Sequence, residues 1–219
     1  MQIANRYILL AGLLLALASC HIPGKSTPNP LLDYFQPTAA ADTLIFEVEH
    51  EEGRVAALGD TIPNALFFTE INAVLLSEIN HVADSAEAVV LALQRFPLNA
   101  EVEACVVDIR QHWFQHKSLL LYDRRQKAFT DRVTVAEWYG GDGGQVLTGS
   151  WLVDYDGDGQ KDIVRREIQH TLRPDENGEA IDETYESALL LVWRAGRFVE
   201  QPLSDTMLVV KRFPIRSFW

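Results

Sequence analysis

Between Asp154 and Asp162 the chain packs four aspartates and two glycines into nine residues, Asp154-Tyr-Asp-Gly-Asp-Gly-Gln-Lys-Asp162. Asp154, Asp156 and Asp158 alternate with other residues, so a tightly curled backbone can aim all three carboxylates inward. Gly157 and Gly159 permit the positive φ that such a curl needs. Carboxylates brought this close repel one another unless a cation lies between them. A hard cation such as calcium takes about six to eight oxygen ligands. The expected set is Asp154, Asp156, Asp158, the carbonyl of Gln160, and Asp162. The bland alternative is an acidic turn that holds no metal, since Asp and Gly are ordinary turn residues.

The flanks decide the kind of loop. An EF-hand needs a helix on either side and a Glu at its twelfth position. Here that position is Arg165. Leu147, Gly149, Trp151 and Val153 alternate with polar or small residues before the loop, and Ile163 to Ile168 is β-branched and charged after it, so both flanks predict strands. Trp151 to Val164, a strand, an Asp-x-Asp-x-Asp-Gly-x-x-Asp loop and a second strand, resembles the calcium loops of FG-GAP/VCBS-type repeats. The resemblance implies a structural Ca2+ held between β-strands. One copy of the unit is found, in less than a tenth of the chain.

A second pattern concerns location. Arg6 is followed by an unbroken apolar run from Tyr7 to Ala18, too short to span a bilayer as a helix. It ends in Leu17-Ala18-Ser19-Cys20, which resembles the bacterial lipobox. The resemblance implies that residues 1–19 are a signal peptide and that Cys20 becomes a lipidated N-terminus. His21, rather than Asp, after the cysteine implies the outer membrane. The alternative is an ordinary secretory signal. Residues 20–41 are expected to be a lipidated cysteine and an extended tether, because Pro23, Pro28, Pro30 and Pro37 prevent a helix.

The chain of 219 residues carries a formal net charge of −12, which argues against nucleic acid as a partner and against electrostatic adhesion to anionic lipid. Of its two cysteines, Cys105 lies in an apolar run and is expected to be a buried small hydrophobe.

Residues 42–219 are expected to form a single, mostly β domain: an antiparallel meander, propeller-like or a sandwich, with one short helix. The alternation around Leu44, Phe46 and Val48 predicts the first strand, and the apolar stretch Ala65 to Ile79 one or two more. Asp84-Ser-Ala-Glu87 has capping-box chemistry and predicts a helix from Ser85 to Arg95, stopped by Pro97. Val102 to Phe114 is ambiguous and leans to strand. A meander follows, with a glycine-rich connection at 140–144, a long acidic loop from Arg173 to Asp182, and a last strand from Met207 to Phe213.

Other constellations carry less. His112 and His116 are too few for a zinc site. Ser150 lacks the glycine spacing of a nucleophile elbow. The carboxylates from Asp175 to Glu186 could serve glycoside hydrolysis, but such a run is usually solvated. Trp138, Tyr139 and Tyr155 are expected near the loop, where they could bind sugar or protein, or belong to the core. The expected function is that of a cell-envelope lipoprotein, membrane-attached through its lipid, whose calcium-stabilised β domain binds a protein or glycan partner. An envelope hydrolase of glycans or phosphoesters is the alternative.

Overall fold

The computed structural model describes residues 29–48, 59–76, 87–141 and 143–216. The expected signal peptide, Cys20, and the capping residues Asp84 to Ala86 lie outside them. No helix among the described residues is long and apolar enough to cross a membrane.

The protein is mostly β. A 3-10 helix, Pro30–Tyr34, opens it, followed by short strands β1 (Gln36–Pro37), β2 (Thr43–Phe46) and β3 (Asp60–Ile62). Two short helices, α1 (Asn64–Glu70) and α2 (Ala73–Leu76), lead into a run of long strands. These are β4 (Val89–Pro97), β5 (Val102–Gln111), β6 (Phe114–Asp123), β7 (Ala128–Gly141), β8 (Gly144–Val153), β9 (Asp162–Pro174), β10 (Ala180–Arg194) and β11 (Arg197–Gln201). Helix α3 (Thr206–Arg212) follows.

From β4 to β11 each strand pairs antiparallel with the next, so the meander is one continuous sheet. β1 adds to β4 in parallel and β3 to β4 antiparallel. β8 pairs with β7 over residues 144–148 and with β2 over residues 150–153. The sheet therefore changes neighbours halfway along β8. The central core is shared by Val106, Leu119, Leu121 and Val133 of β5–β7 with Phe46, Leu152, Ile163 and Trp193 of β2 and β8–β10. In this respect it is sandwich-like.

The alternate side chains of both halves are buried too. Val107, Ile109, Leu120 and Tyr122 lie under Leu31, Leu32, Phe67 and Ile71 from the 3-10 helix and the α1 region. Val164, Leu190 and Val192 lie under Val209 and Phe213 of the α3 region. Arg166, 1% exposed, fastens that helix: its Nη1 donates to the carbonyls of Val210 and Phe213, its Nε to that of Ser187, and Nη2 pairs with Glu186. These contacts satisfy carbonyls at a helix C-terminus.

Several expected elements are corrected. The described part of the Ala65–Ile79 stretch holds two short helices, α1 and α2, separated at Ile71 and Asn72, rather than strands, and residues 77–79 lie outside the described residues. Phe67 and Ile71, four apart, are its buried positions, and the Asn72 side chain accepts from Val74 N. The helix expected to reach Arg95 gives way to β4. Val90, Leu91 and Ala92 are all buried because both faces of β4 are covered, and such a continuous apolar run does not reveal its period. Residues 206–212 are helical rather than a strand, capped by the Asp205 side chain on Leu208 N. The long acidic loop shrinks to the turn between Pro174 and Ala180, and the rest of it extends the β9–β10 ribbon. The strand reading of Val102 to Gln111 holds.

The fold also reaches further toward the N-terminus than Asp42. Asn29 caps the 3-10 helix through a bond from Leu31 N, and Leu31 and Leu32 are 0% and 2% exposed. Leu31→Ala and Leu32→Ala should each cost about 2–5 kcal/mol in urea unfolding. Values near zero would return these residues to the tether.

Candidate metal centre

The loop between β8 and β9 is curled by its own aspartates. Asp154 accepts from Gly157 N (2.8 Å) through Oδ1 and from Gly159 N (3.0 Å) through Oδ2. Asp156 accepts from Asp158 N (3.2 Å). Gly157 and Gly159 take φ of 82° and 85°, the left-handed region where a side chain is strained. Lys161 ties the loop to the start of β2, its Nζ donating to the Asp42 carbonyl.

Asp162 differs from the rest. It is 2% exposed, and each of its oxygens is used: Oδ2 accepts from Tyr155 N (3.2 Å), and Oδ1 from Trp193 N (3.1 Å) on β10. The carboxylate thus joins the loop to a strand 31 residues on. Burial raises its pKa above the ordinary aspartate value; Asp156 and Asp158 raise it too, and the two backbone bonds lower it. A folded carboxyl that holds its proton more tightly than the unfolded chain loses stability as pH rises from the unfolded to the folded value, and stays destabilised above it. A cation beside Asp162 opposes that loss.

The structure brings together Asp154, Asp156 and Asp162, with one ligand oxygen from each lying within 4.8 Å of the others. Calcium–oxygen distances of about 2.3–2.6 Å put two ligands on opposite sides of one ion about 4.6–5.2 Å apart, so this spacing fits a shared cation. Asp158 is outside the trio; its carboxylate accepts from Gln160 N (2.8 Å) and Gln160 Nε2 (3.1 Å). Gln160 is exposed.

The other expected residues are dispersed. His112 is on the β5–β6 turn and pairs with Glu87, whereas His116 is buried against Ser118 and Arg132. Ser150 is fully buried, and its Oγ has no hydrogen-bond partner among the described residues. The Cys105 thiol is buried and held far above its usual pKa, first by burial and then by Glu103. Of the acidic run, Asp182 pairs with His170, Glu183 with Arg173, Glu186 with Arg166, and Asp175 caps its own turn. Tyr155 packs on Phe213 near the loop. Trp138 and Tyr139 do not: they pair with Leu147 and Val146 near the other end of β8, whose length is about 30 Å.

The tie from Asp162 to Trp193 was invisible in the sequence, since nothing local marks a strand neighbour so far along the chain. Searches against protein-family models, curated proteins and solved structures found no match to this chain.

Asp162→Ala should destabilise the metal-free domain by at least about 2 kcal/mol, because the Trp193 and Tyr155 amides lose their acceptor. Asp156→Ala, at an exposed position, should change it by less than about 0.5 kcal/mol. Equal effects in chemical denaturation would contradict the distinct role of Asp162.

Proposed function

We propose that this protein is a cell-envelope lipoprotein, anchored in the outer membrane through Cys20, whose β domain is braced by a structural calcium ion and acts as a binding module. The observation that carries the calcium reading is the convergence of Asp154 and Asp156 on the buried Asp162. Asp158 and the Gln160 carbonyl complete the ligand set once an ion draws the loop together. Because Asp162 also holds β10, ordering the loop orders the sheet beneath it. Calcium modules outside the cell bind at about 10⁻⁴ to 10⁻³ M, an affinity suited to the envelope. The anchor rests on the lipobox resemblance, and the binding role on a β scaffold whose acidic run is engaged in ion pairs and a turn.

Calcium at about a hundred times its dissociation constant should add about 2.7 kcal/mol to metal-treated over EDTA-treated protein. That raises the thermal midpoint by about 5–10 °C. The Asp154→Ala, Asp156→Ala double variant should lose the rise. An unchanged midpoint, with no heat of binding by calorimetry, sinks the ion. For the anchor, Cys20→Ser should move the protein from the membrane to the soluble fraction of a bacterial host; persistence in the membrane refutes lipidation.

A further inference from the structure

At the end of β8 away from the aspartate loop lies an open cleft of about 510 Å³, within the range of roughly 300–1,000 Å³ usual for small-ligand sites. Its floor is one face of β7, β8 and β9. Gly140 pairs with Gln145 and Gln145 with His170, so all three positions face the same side, and Trp138 and Leu172 join them two residues further along their strands. Trp113, from the β5–β6 turn, forms a wall.

The floor is kept bare by close backbone approach. A Cβ on Gly140 would stand 2.3 Å from the Gly144 carbonyl oxygen, and one on Gly144 would stand 2.5 Å from that of His170. Both glycines are therefore fixed by the hairpin, and neither roofs the cleft with a side chain. The indoles are held in place rather than loose. Trp113 Nε1 donates to the Gly140 carbonyl (3.1 Å), and Trp138 Nε1 to Gln145 Oε1 (3.1 Å). His112, beside Trp113, lies 3.2 Å from Glu87. Even so, Trp113 is 58% exposed, an unusual state for the largest apolar side chain when a hydrogen bond fixes it over a cavity.

We infer that this cleft binds an uncharged saccharide. A pyranose ring offers a C–H face to a flat indole and hydroxyl groups around its edge. Trp113 and Trp138 supply the aromatic surface. Gln145 spends its carbonyl oxygen on Trp138, so its amide donor is what it offers a hydroxyl. The His170 imidazole is oriented by Asp182 through a 2.8 Å bond. Among the described residues no Lys or Arg lines the cleft, and the chain is strongly acidic, so anionic ligands such as nucleotides or uronic-acid polymers are disfavoured. A purely apolar guest is disfavoured too, because it would take water from the Gln145 amide donor and give nothing back.

The inference rests on the reading of the domain as a binding module, and it is independent of the ion. It is tested by isothermal calorimetry and tryptophan fluorescence with the full-length protein and maltohexaose, cellohexaose and chitohexaose, each with calcium and with EDTA. At least one neutral oligosaccharide should bind saturably and change the fluorescence. Trp113→Ala should weaken it about tenfold or more, Trp113→Phe less, with the thermal midpoint retained. Tyr185→Ala, at an exposed aromatic on β10 outside the cleft, should leave binding unchanged. The inference is overturned by absence of binding across the panel, by tighter binding of polygalacturonate, by an unaffected Trp113→Ala variant, or by equal loss in Tyr185→Ala. Loss of saccharide binding with the calcium-induced midpoint shift intact would strike the cleft alone; the converse would strike the ion alone.

Discussion

Covering both faces of one long sheet is the constraint on which the structure depends. A meander of this length has a central core where its halves meet and two outer faces that would otherwise meet water. The chain covers them with short helical pieces at its ends: the 3-10 helix, α1 and α2 over β4–β6, and α3 over β8–β10. None of these pieces is long enough to be stable alone. Their order comes from the apolar residues they bury and from a few polar bonds. Arg166 is the strongest example, a buried guanidinium joining α3 to β9 and β10 by bonds to three carbonyls and one carboxylate. Removing one side of such an arrangement leaves buried charge or buried carbonyls without partners.

Asp162 plays a comparable part at the loop. It ties a surface turn to the core, because its carboxylate accepts from the amide of Trp193, which packs with Phe198 in the central cluster. Charge gathered at the turn is therefore felt at β10. The cleft with Trp113 and Trp138 stands at the opposite end of β8. The strand thus carries two separable features, one built from carboxylates and one from indoles and bare glycine backbone.

Legibility followed the locality of the signal. β2 and the strands flanking the loop, β8 and β9, were readable from alternation or β-branched runs, and the loop from its aspartate spacing; β5 lay in an ambiguous stretch that only leaned to strand. Phe67 and Ile71 stand at helical spacing within an apolar stretch that also suits a strand, and only their packing against the sheet chooses between them. The apolar run from Met207 reads as a strand, and it is the Asp205 cap on Leu208 N together with packing on the sheet that makes it a helix. The acidic residues from Asp175 to Glu186 look like a solvated loop, but cross-strand partners on β9, among them His170 and Arg173, let the ribbon extend through them.

By itself the sequence determined the mostly β character, the position of the aspartate loop and several of the turns between strands, because these follow from side-chain period, glycine conformation and charge within a few residues. Only the tertiary structure decided which three aspartates converge, that Asp162 answers to Trp193, that residues from Asn29 onward belong to the domain, and that Trp113 meets Trp138 across a cleft. The first follows from how the loop's own backbone turns Asp158 toward Gln160; the others join residues distant along the chain, and such pairings are set by strand register and packing, which no short window of residues contains.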